Sequence, residues 1–136
     1  MSNLVFNGGN ADLFVVNSDP LVTLSPIHLT DDAAVDTDPV FSPNGKKVAF
    51  TSDRDGNFNI YKMNADGSSE RRLTKNKAGD LDSSFSPNGK KIAFMSGRDG
   101  ISAEIFVMNA KDDSRPRNIT KNPAADFALD WRVVVQ

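Results

Sequence analysis

The stretch FSPNGKKVAF at residues 41–50 returns as FSPNGKKIAF at residues 85–94, 44 residues further along the chain. The match extends beyond these two segments. Arg54-Asp55-Gly56 recurs as Arg98-Asp99-Gly100, and Leu73-Thr74 recurs as Ile119-Thr120. A repeat of this length, punctuated by Gly-rich turns, indicates a solenoid or a propeller rather than a globule with a single core.

The unit at residues 36–74 has the turn signals of four antiparallel strands. Asn44-Gly45, Asp55-Gly56 and Asp66-Gly67 supply the positive φ angles of tight turns. Because such turns and proline interrupt the unit, a helical interpretation fails. The unit predicts one blade of an all-β propeller. Its strands are expected at residues 39–41, 47–52, 59–64 and 70–74, the last being short and polar as suits an edge.

The first and last units are incomplete in complementary ways. Residues 4–30 align with the second, third and fourth strands of a blade, and residues 126–135 align with a first strand, in which Trp131 takes the place of Phe41 and Phe85. We expect Trp131 to lie in the core. We therefore predict a single domain over residues 1–136 with three blades' worth of strands, permuted by one. Its repeats are a partial unit at 4–30, full units at 36–74 and 80–120, and a lone first strand at 126–135.

These units resemble the repeat of the TolB-type β-propellers, a WD40-like propeller repeat in which D-x-x-P-x-F/W-S-P-D-G-K is followed by I-A-F, R-D-G, I-Y-x-M and L-T. The resemblance covers nearly the whole chain. Asn44 and Asn88 stand where the family pattern often has Asp, and Lys111-Asp112-Asp113 replaces the usual Asp-Gly turn. The resemblance implies a complete ring of six blades.

Three blades do not close a ring, since propellers have about 4–8 blades. An open arc is expected to expose apolar side chains such as Phe50, Ile92 and Phe94. We predict that two chains close a six-bladed ring as a homodimer, because two-fold symmetry is the commonest in oligomers. A portion of a longer propeller is the alternative. The predicted strand exchange uses the last strand and the N-terminal blade, through Phe127, Leu129, Trp131, Val133, Leu4 and Phe6.

The residue types argue against catalysis. His28 is the only histidine, on a predicted outer strand, and the chain has no cysteine. We expect His28 to be exposed and inert, and we predict no catalytic residue, no cofactor and no histidine–cysteine metal site. Closely spaced carboxylates can hold calcium, or they can accept hydrogen bonds from loop amides between blades. The calcium candidates are Asp36, Asp38, Asp80 and Asp82.

Two arginines, Arg54 and Arg98, recur at the same repeat position. They suggest either an anion-binding pair on one face or, as we favour, inter-blade salt bridges or guanidinium groups packed on aromatic rings. A ligand in the central channel would call for polar side chains on the inner strands. The candidates for the channel and its rims are Asp82, Ser84, Asp130, Arg132, Arg54 and Arg98.

The composition limits the classes of partner that we expect. The net charge of −2 argues against nucleic acid, which normally needs a basic face, and no apolar run approaches the ~18 residues of a membrane span. We therefore expect a non-catalytic scaffold for protein–protein interaction whose protein partner is unknown. Two alternatives remain: a gating portion of a prolyl oligopeptidase-like hydrolase, and a propeller that binds a small molecule or glycan. The family resemblance favours the periplasm or cell envelope, although residues 1–10 have no secretion signal.

Overall fold

The computed structural model describes residues 2–7, 10–15, 21, 25–100, 102–111 and 115–120, with the backbone alone for 2–7 and 10. These residues form strands and turns, and no helix that is long and apolar enough to cross a membrane occurs among them. The strands are β1 (Ser2–Asn7), β2 (Asn10–Val15), β3 (Ile27–His28), β4 (Asp36–Phe41), β5 (Lys47–Ser52), β6 (Asn59–Asn64), β7 (Arg71–Arg72), β8 (Asp80–Phe85), β9 (Lys91–Ser96), β10 (Glu104–Asn109) and β11 (Arg117–Asn118).

The strands form three antiparallel sheets in which neighbours in sequence are neighbours in space. Blade 1 contains β1–β3, blade 2 contains β4–β7 and blade 3 contains β8–β11. The predicted propeller fold with four-stranded blades is therefore confirmed in blades 2 and 3. The first strand of blade 2 begins earlier than predicted, at Asp36, and the outer strand is shorter, at Arg71–Arg72.

The turn between the first two strands of a blade is held by its own side chains. The Ser42 hydroxyl donates to Asn44 Oδ1 at 2.8 Å, and the main-chain N–H of Lys47 donates to Ser42 Oγ at 3.0 Å. Gly45 has a φ of 71°, a conformation that glycine adopts without strain. Blade 3 repeats these contacts through Ser86 and Asn88, so asparagine at this position preserves the turn.

A threonine ties the outer strand of each blade to the strand next to it. Thr30, Thr74 and Thr120 accept hydrogen bonds through Oγ1 from main-chain N–H groups at 3.0, 2.9 and 3.0 Å. The donors are Leu13, Ile60 and Ile105. The repeated Leu-Thr or Ile-Thr pair of the sequence therefore has a structural role, because its threonine satisfies a backbone donor that the short outer strand leaves unpaired.

The core lies between blades. Phe50 and Met63 of blade 2 pack with Leu13 and Leu29 of blade 1, and the opposite face of blade 2 packs on blade 3. That second core contains Ala49, Ile60, Leu73, Phe85, Ile92, Phe94, Phe106, Met108 and Ala110. Blade 2 is thus covered on both faces, and blades 1 and 3 are each covered on the face that meets blade 2, as expected of radially stacked sheets.

The prediction that an open arc exposes Phe50, Ile92 and Phe94 is wrong. All three have no exposed surface in the single chain. Their side chains belong to the face of each blade that meets the preceding blade, so the neighbours within this chain already cover them. The predicted first strand at 126–135 lies outside the described residues, as do its members Phe127, Leu129, Asp130, Trp131, Arg132 and Val133.

Candidate functional site

The first strands of the blades converge, and the outer strands do not. β4 contacts both β2 and β8, whereas β7 and β11 contact only strands of their own blades among the described elements. The first strands therefore lie on the side of the arc where the axis of a ring would run. Side chains on β4 and β8 are the ones available to that axis.

Both first strands contain a β-bulge with an aspartate in the left-handed region. The pairing of β4 with β5 shifts between Thr37 and Val40, and Asp38 has a φ of 53°. The pairing of β8 with β9 shifts in the same way, and Asp82 has a φ of 52°. Aspartate tolerates this conformation better than most residues but still pays a strain cost. At the bulge, the aspartate side chain departs from the regular alternation of side chains between the two faces of the strand.

The two bulge carboxylates lie close enough to interact. Partial desolvation raises the pKa of Asp38, and the negative charge of Asp82, which also hydrogen-bonds Asp38, raises it further. Two of the four calcium candidates are thus neighbours near the axis. Ser84, also a predicted channel residue, is half-buried on the same strand as Asp82.

The other two calcium candidates each form an ion pair with an arginine. Asp36 and Asp80 are fully buried, and each has a carboxylate oxygen in contact with a guanidinium, from Arg54 at 3.1 Å and from Arg98 at 2.8 Å. Each arginine thus compensates one buried negative charge, and calcium binding at these aspartates stays a prediction.

The guanidinium groups also pack on aromatic rings. The guanidinium carbon of Arg54 lies 4.7 Å from the Tyr61 ring centroid, and that of Arg98 lies 4.8 Å from the Phe106 ring centroid. The predicted packing on aromatic rings is therefore confirmed. The ion pairs to Asp36 and Asp80 lie within one blade, and Arg54 also contacts Asp32 in the segment between blades 1 and 2 at 3.1 Å. Burial disfavours the charged form of Arg54, but hydrogen bonds to Glu70 and Asp36 outweigh it and raise its pKa.

An open groove of about 700 Å³ separates blades 2 and 3 on the rim that carries the Ser-Pro-Asn-Gly turns. Four lysines line it, and within the described part of the chain no aspartate or glutamate does. The Lys62 ammonium donates to the Ala110 carbonyl across the blade boundary. Lys90 is exposed at the edge. The lysines are Lys47, Lys62, Lys90 and Lys111, and Phe85 supplies an apolar wall.

The sequence analysis did not include these lysines among the candidate site residues. It did not foresee that equivalent turns of adjacent blades would place several of them around one concave surface. The repeated Lys-Lys after each Asn-Gly was the available signal. The single histidine, predicted to be exposed, is confirmed as exposed, with the Asp12 carboxylate 3.5 Å from its Nε2.

The chain matches the model of the TolB β-propeller domain family over residues 2–98. Its structure is similar to a TolB protein of Agrobacterium tumefaciens, with a TM-score of 0.75 and 24% identity over 86% of this chain and 43% of that one. It is also similar to TolB of Acinetobacter baumannii, with a TM-score of 0.73 and 26% identity over 86% of this chain and 28% of that one.

A peptidase shares the fold. Dipeptidyl peptidase 4 of Porphyromonas gingivalis superimposes with a TM-score of 0.68 and 19% identity over 89% of this chain and 18% of that one. The chain thus spans less than half the length of each of these three proteins. The likeness to the peptidase shows a common fold and nothing about activity.

Proposed function

Because this chain belongs to the TolB β-propeller domain family, we propose that it is a non-catalytic propeller scaffold that binds another protein. The groove between blades 2 and 3 carries this proposal. Its volume, about 700 Å³, is within the range of roughly 300–1,000 Å³ that binding clefts commonly have. The hydrogen-bonded turns on both sides give it rigid walls, which reduces the ordering cost of binding.

The charge of the groove indicates the chemistry of its partner. Lys90 and Lys111 are exposed lysines at its edge, and carboxylates are their natural counterparts. Phe85, buried but present in the wall, offers an apolar contact between them. An extended acidic segment with an apolar side chain fits both features. We therefore propose that the partner presents such a segment to this rim.

A direct test uses a fluorescently labelled, glutamate-rich peptide with one central leucine and measures fluorescence anisotropy. Lys90→Glu and Lys111→Glu should each weaken binding by about fivefold to tenfold, because a favourable charge contact becomes a repulsive one. Raising the salt concentration should weaken binding to the unmodified chain as well, since exposed charges are screened.

Lys77→Glu is the matched control, because Lys77 is an exposed lysine that does not line the groove. It should bind the peptide as the unmodified chain does. Equal losses in Lys77→Glu and Lys90→Glu would show a response to net charge alone and would overturn the groove as the binding site. A lysine-rich peptide that bound equally well would overturn the acidic partner.

We further propose that two chains form a six-bladed ring. Phe14 of blade 1 occupies the position of Tyr61 and Phe106, which the preceding blades bury to 4% and 3% exposure. Phe14 is only half-buried. Its face of blade 1 is therefore suited to receive another blade, and a second copy of the chain is the proposed source.

Light scattering on a size-exclusion column tests the ring. A dimer has about twice the 14.8 kDa mass of one chain, and a version that ends at Asp126 should lose that mass if the last predicted strand is exchanged. A homogeneous monomer of the unmodified chain would overturn the dimer. A propeller that accompanies a hydrolase domain is the second candidate, and the peptidase shares only the fold with this chain. Co-purification of this chain with a hydrolase polypeptide would favour this second candidate.

The periplasm is the proposed compartment, and cell fractionation tests it.

A further inference from the structure

The β2–β3 hairpin of blade 1 brings three potential metal ligands together. Its register pairs Phe14 with His28. Asp12 precedes Phe14 by two residues and so lies on the same face of the strand. Asp31 follows three residues after His28, where the chain leaves β3. An imidazole and two carboxylates therefore converge at one end of the hairpin.

The three side chains are close enough to share one ion. One ligand atom from each of Asp12, His28 and Asp31 lies within 4.8 Å of the other two. His28 Nε2 is 3.5 Å from Asp12 Oδ2. The Phe14 ring stacks on the imidazole, with centroids 4.4 Å apart and planes inclined by 6°. This stacking fixes the plane of the imidazole, whose Nε2 faces the Asp12 carboxylate.

One oxygen of the buried Asp12 carboxylate lacks a hydrogen-bond partner among the described residues. Asp12 is only 3% exposed, and its Oδ1 has no hydrogen-bond partner in the described structure. A buried carboxylate oxygen without a partner is costly and uncommon in folded proteins. A cation coordinated by the Asp12 carboxylate would compensate its buried negative charge.

The equivalent residues of the other blades are satisfied by the protein itself. Asn59 begins β6 as Asp12 begins the aligned segment of β2, and its amide hydrogen-bonds the main chain at Asn57 and Asn76. Glu104 of blade 3 accepts a hydrogen bond from Asn118. At this strand position blade 1 therefore differs from blades 2 and 3, in which the protein itself supplies the hydrogen-bond partners.

From this arrangement we propose that Asp12, His28 and Asp31 bind a divalent transition-metal ion, with Zn²⁺ as the best match. One imidazole nitrogen and two carboxylate oxygens suit zinc, whereas calcium and magnesium prefer oxygen ligands alone. His28 and Asp31 are exposed and can close around the ion by small changes of rotamer. Three protein ligands leave one tetrahedral position for water.

Isothermal titration of the chelator-treated chain with ZnCl₂ at neutral pH tests the site. We expect one ion per chain and a rise in the melting temperature on binding. His28→Ala and Asp31→Asn should each reduce Zn²⁺ affinity at least about tenfold. Asp66→Asn, which changes an exposed carboxylate in a turn of blade 2, is the matched control and should bind as the unmodified chain does.

Asp12→Asn separates metal binding from folding. Asparagine is nearly isosteric and already occupies the equivalent position in blade 2, so the variant should fold. It should lose Zn²⁺ binding and the metal-dependent rise in melting temperature. Unchanged Zn²⁺ affinity in both His28→Ala and Asp31→Asn would overturn the site. Calcium bound as tightly as zinc would overturn the assignment of the metal.

Discussion

Arg98 Nη2 donates to the carboxylate of Asp80 at 2.8 Å, within one blade and between its first strand and the turn after its second. Asp80 is completely buried and the Arg98 side chain is 14% exposed. The same relationship joins Arg54 to Asp36 in the preceding blade. The repeat therefore encodes a buried ion pair capped by aromatic rings.

Removal of Arg98 should lower the free energy of unfolding. Arg98→Ala leaves the Asp80 charge buried and uncompensated, which costs about 3–5 kcal/mol of unfolding free energy. Urea denaturation followed by far-UV circular dichroism measures this. The double variant Arg98→Ala with Asp80→Asn should recover part of the loss because no buried charge remains. A double variant that is less stable than Arg98→Ala would contradict the ion-pair explanation.

Asp38→Asn should stabilise the chain at neutral pH. Because the folded-state pKa of Asp38 is raised, the folded protein binds this proton more tightly than the unfolded chain, and stability falls as pH rises from the ordinary carboxyl pKa through the raised value. Above that interval asparagine removes the repulsion from Asp82. We expect a gain of about 0.5 kcal/mol or less, since Asp38 is exposed and screened.

The gain from Asp38→Asn should shrink as the pH falls from the raised pKa toward about 4, and below that the carboxyl group is protonated in both states. Thermal denaturation across pH measures it. Asp38→Ala is the control for backbone strain. It also removes the charge but lacks the tolerance of asparagine for positive φ, so it should be the less stable of the two variants by about 1 kcal/mol. Equal stability of the two variants would contradict this account.

Gly67→Ala should be more destabilising than Gly45→Ala. Both glycines have positive φ, at 88° and 71°, so alanine costs about 1 kcal/mol at each from backbone strain. A Cβ on Gly67 would also lie 3.1 Å from the carbonyl oxygen of Leu29 in blade 1, whereas a Cβ on Gly45 meets nothing within 4 Å. The melting temperatures of the two variants measure this difference. An equal fall in melting temperature would show that blades 1 and 2 do not approach closely at Gly67.

Thr74→Val should cost about 1–3 kcal/mol, because the buried main-chain N–H of Ile60 loses its acceptor. Thr120→Val removes the equivalent bond to Ile105 and is the matched comparison. Thr120 is only half-buried, so water can replace its hydroxyl and the loss should be smaller. Chemical denaturation of both variants measures the difference, and a larger loss for Thr120→Val would be contrary to this reasoning.

The sequence alone determined the blade. Its period and its Asn-Gly and Asp-Gly turns are local signals, and the strands β5 and β6 have the predicted bounds. It could not determine the bulge at Asp38, because a bulge depends on how two strands pair. The wrong expectation for Phe50 had a similar origin: burial between blades depends on face-to-face packing that no single repeat encodes.

Tertiary structure alone decided the candidate sites. The lysines of the groove come from two blades, so only the stacking of blade 2 on blade 3 gathers Lys62, Lys90 and Lys111. The convergence of Asp12, His28 and Asp31 depends on the register of β2 with β3 across a long connection. Strand formation and turns follow from short-range sterics and hydrogen bonding, which the sequence contains directly. The position of a charge relative to a distant one follows from register and packing, which only the folded chain fixes.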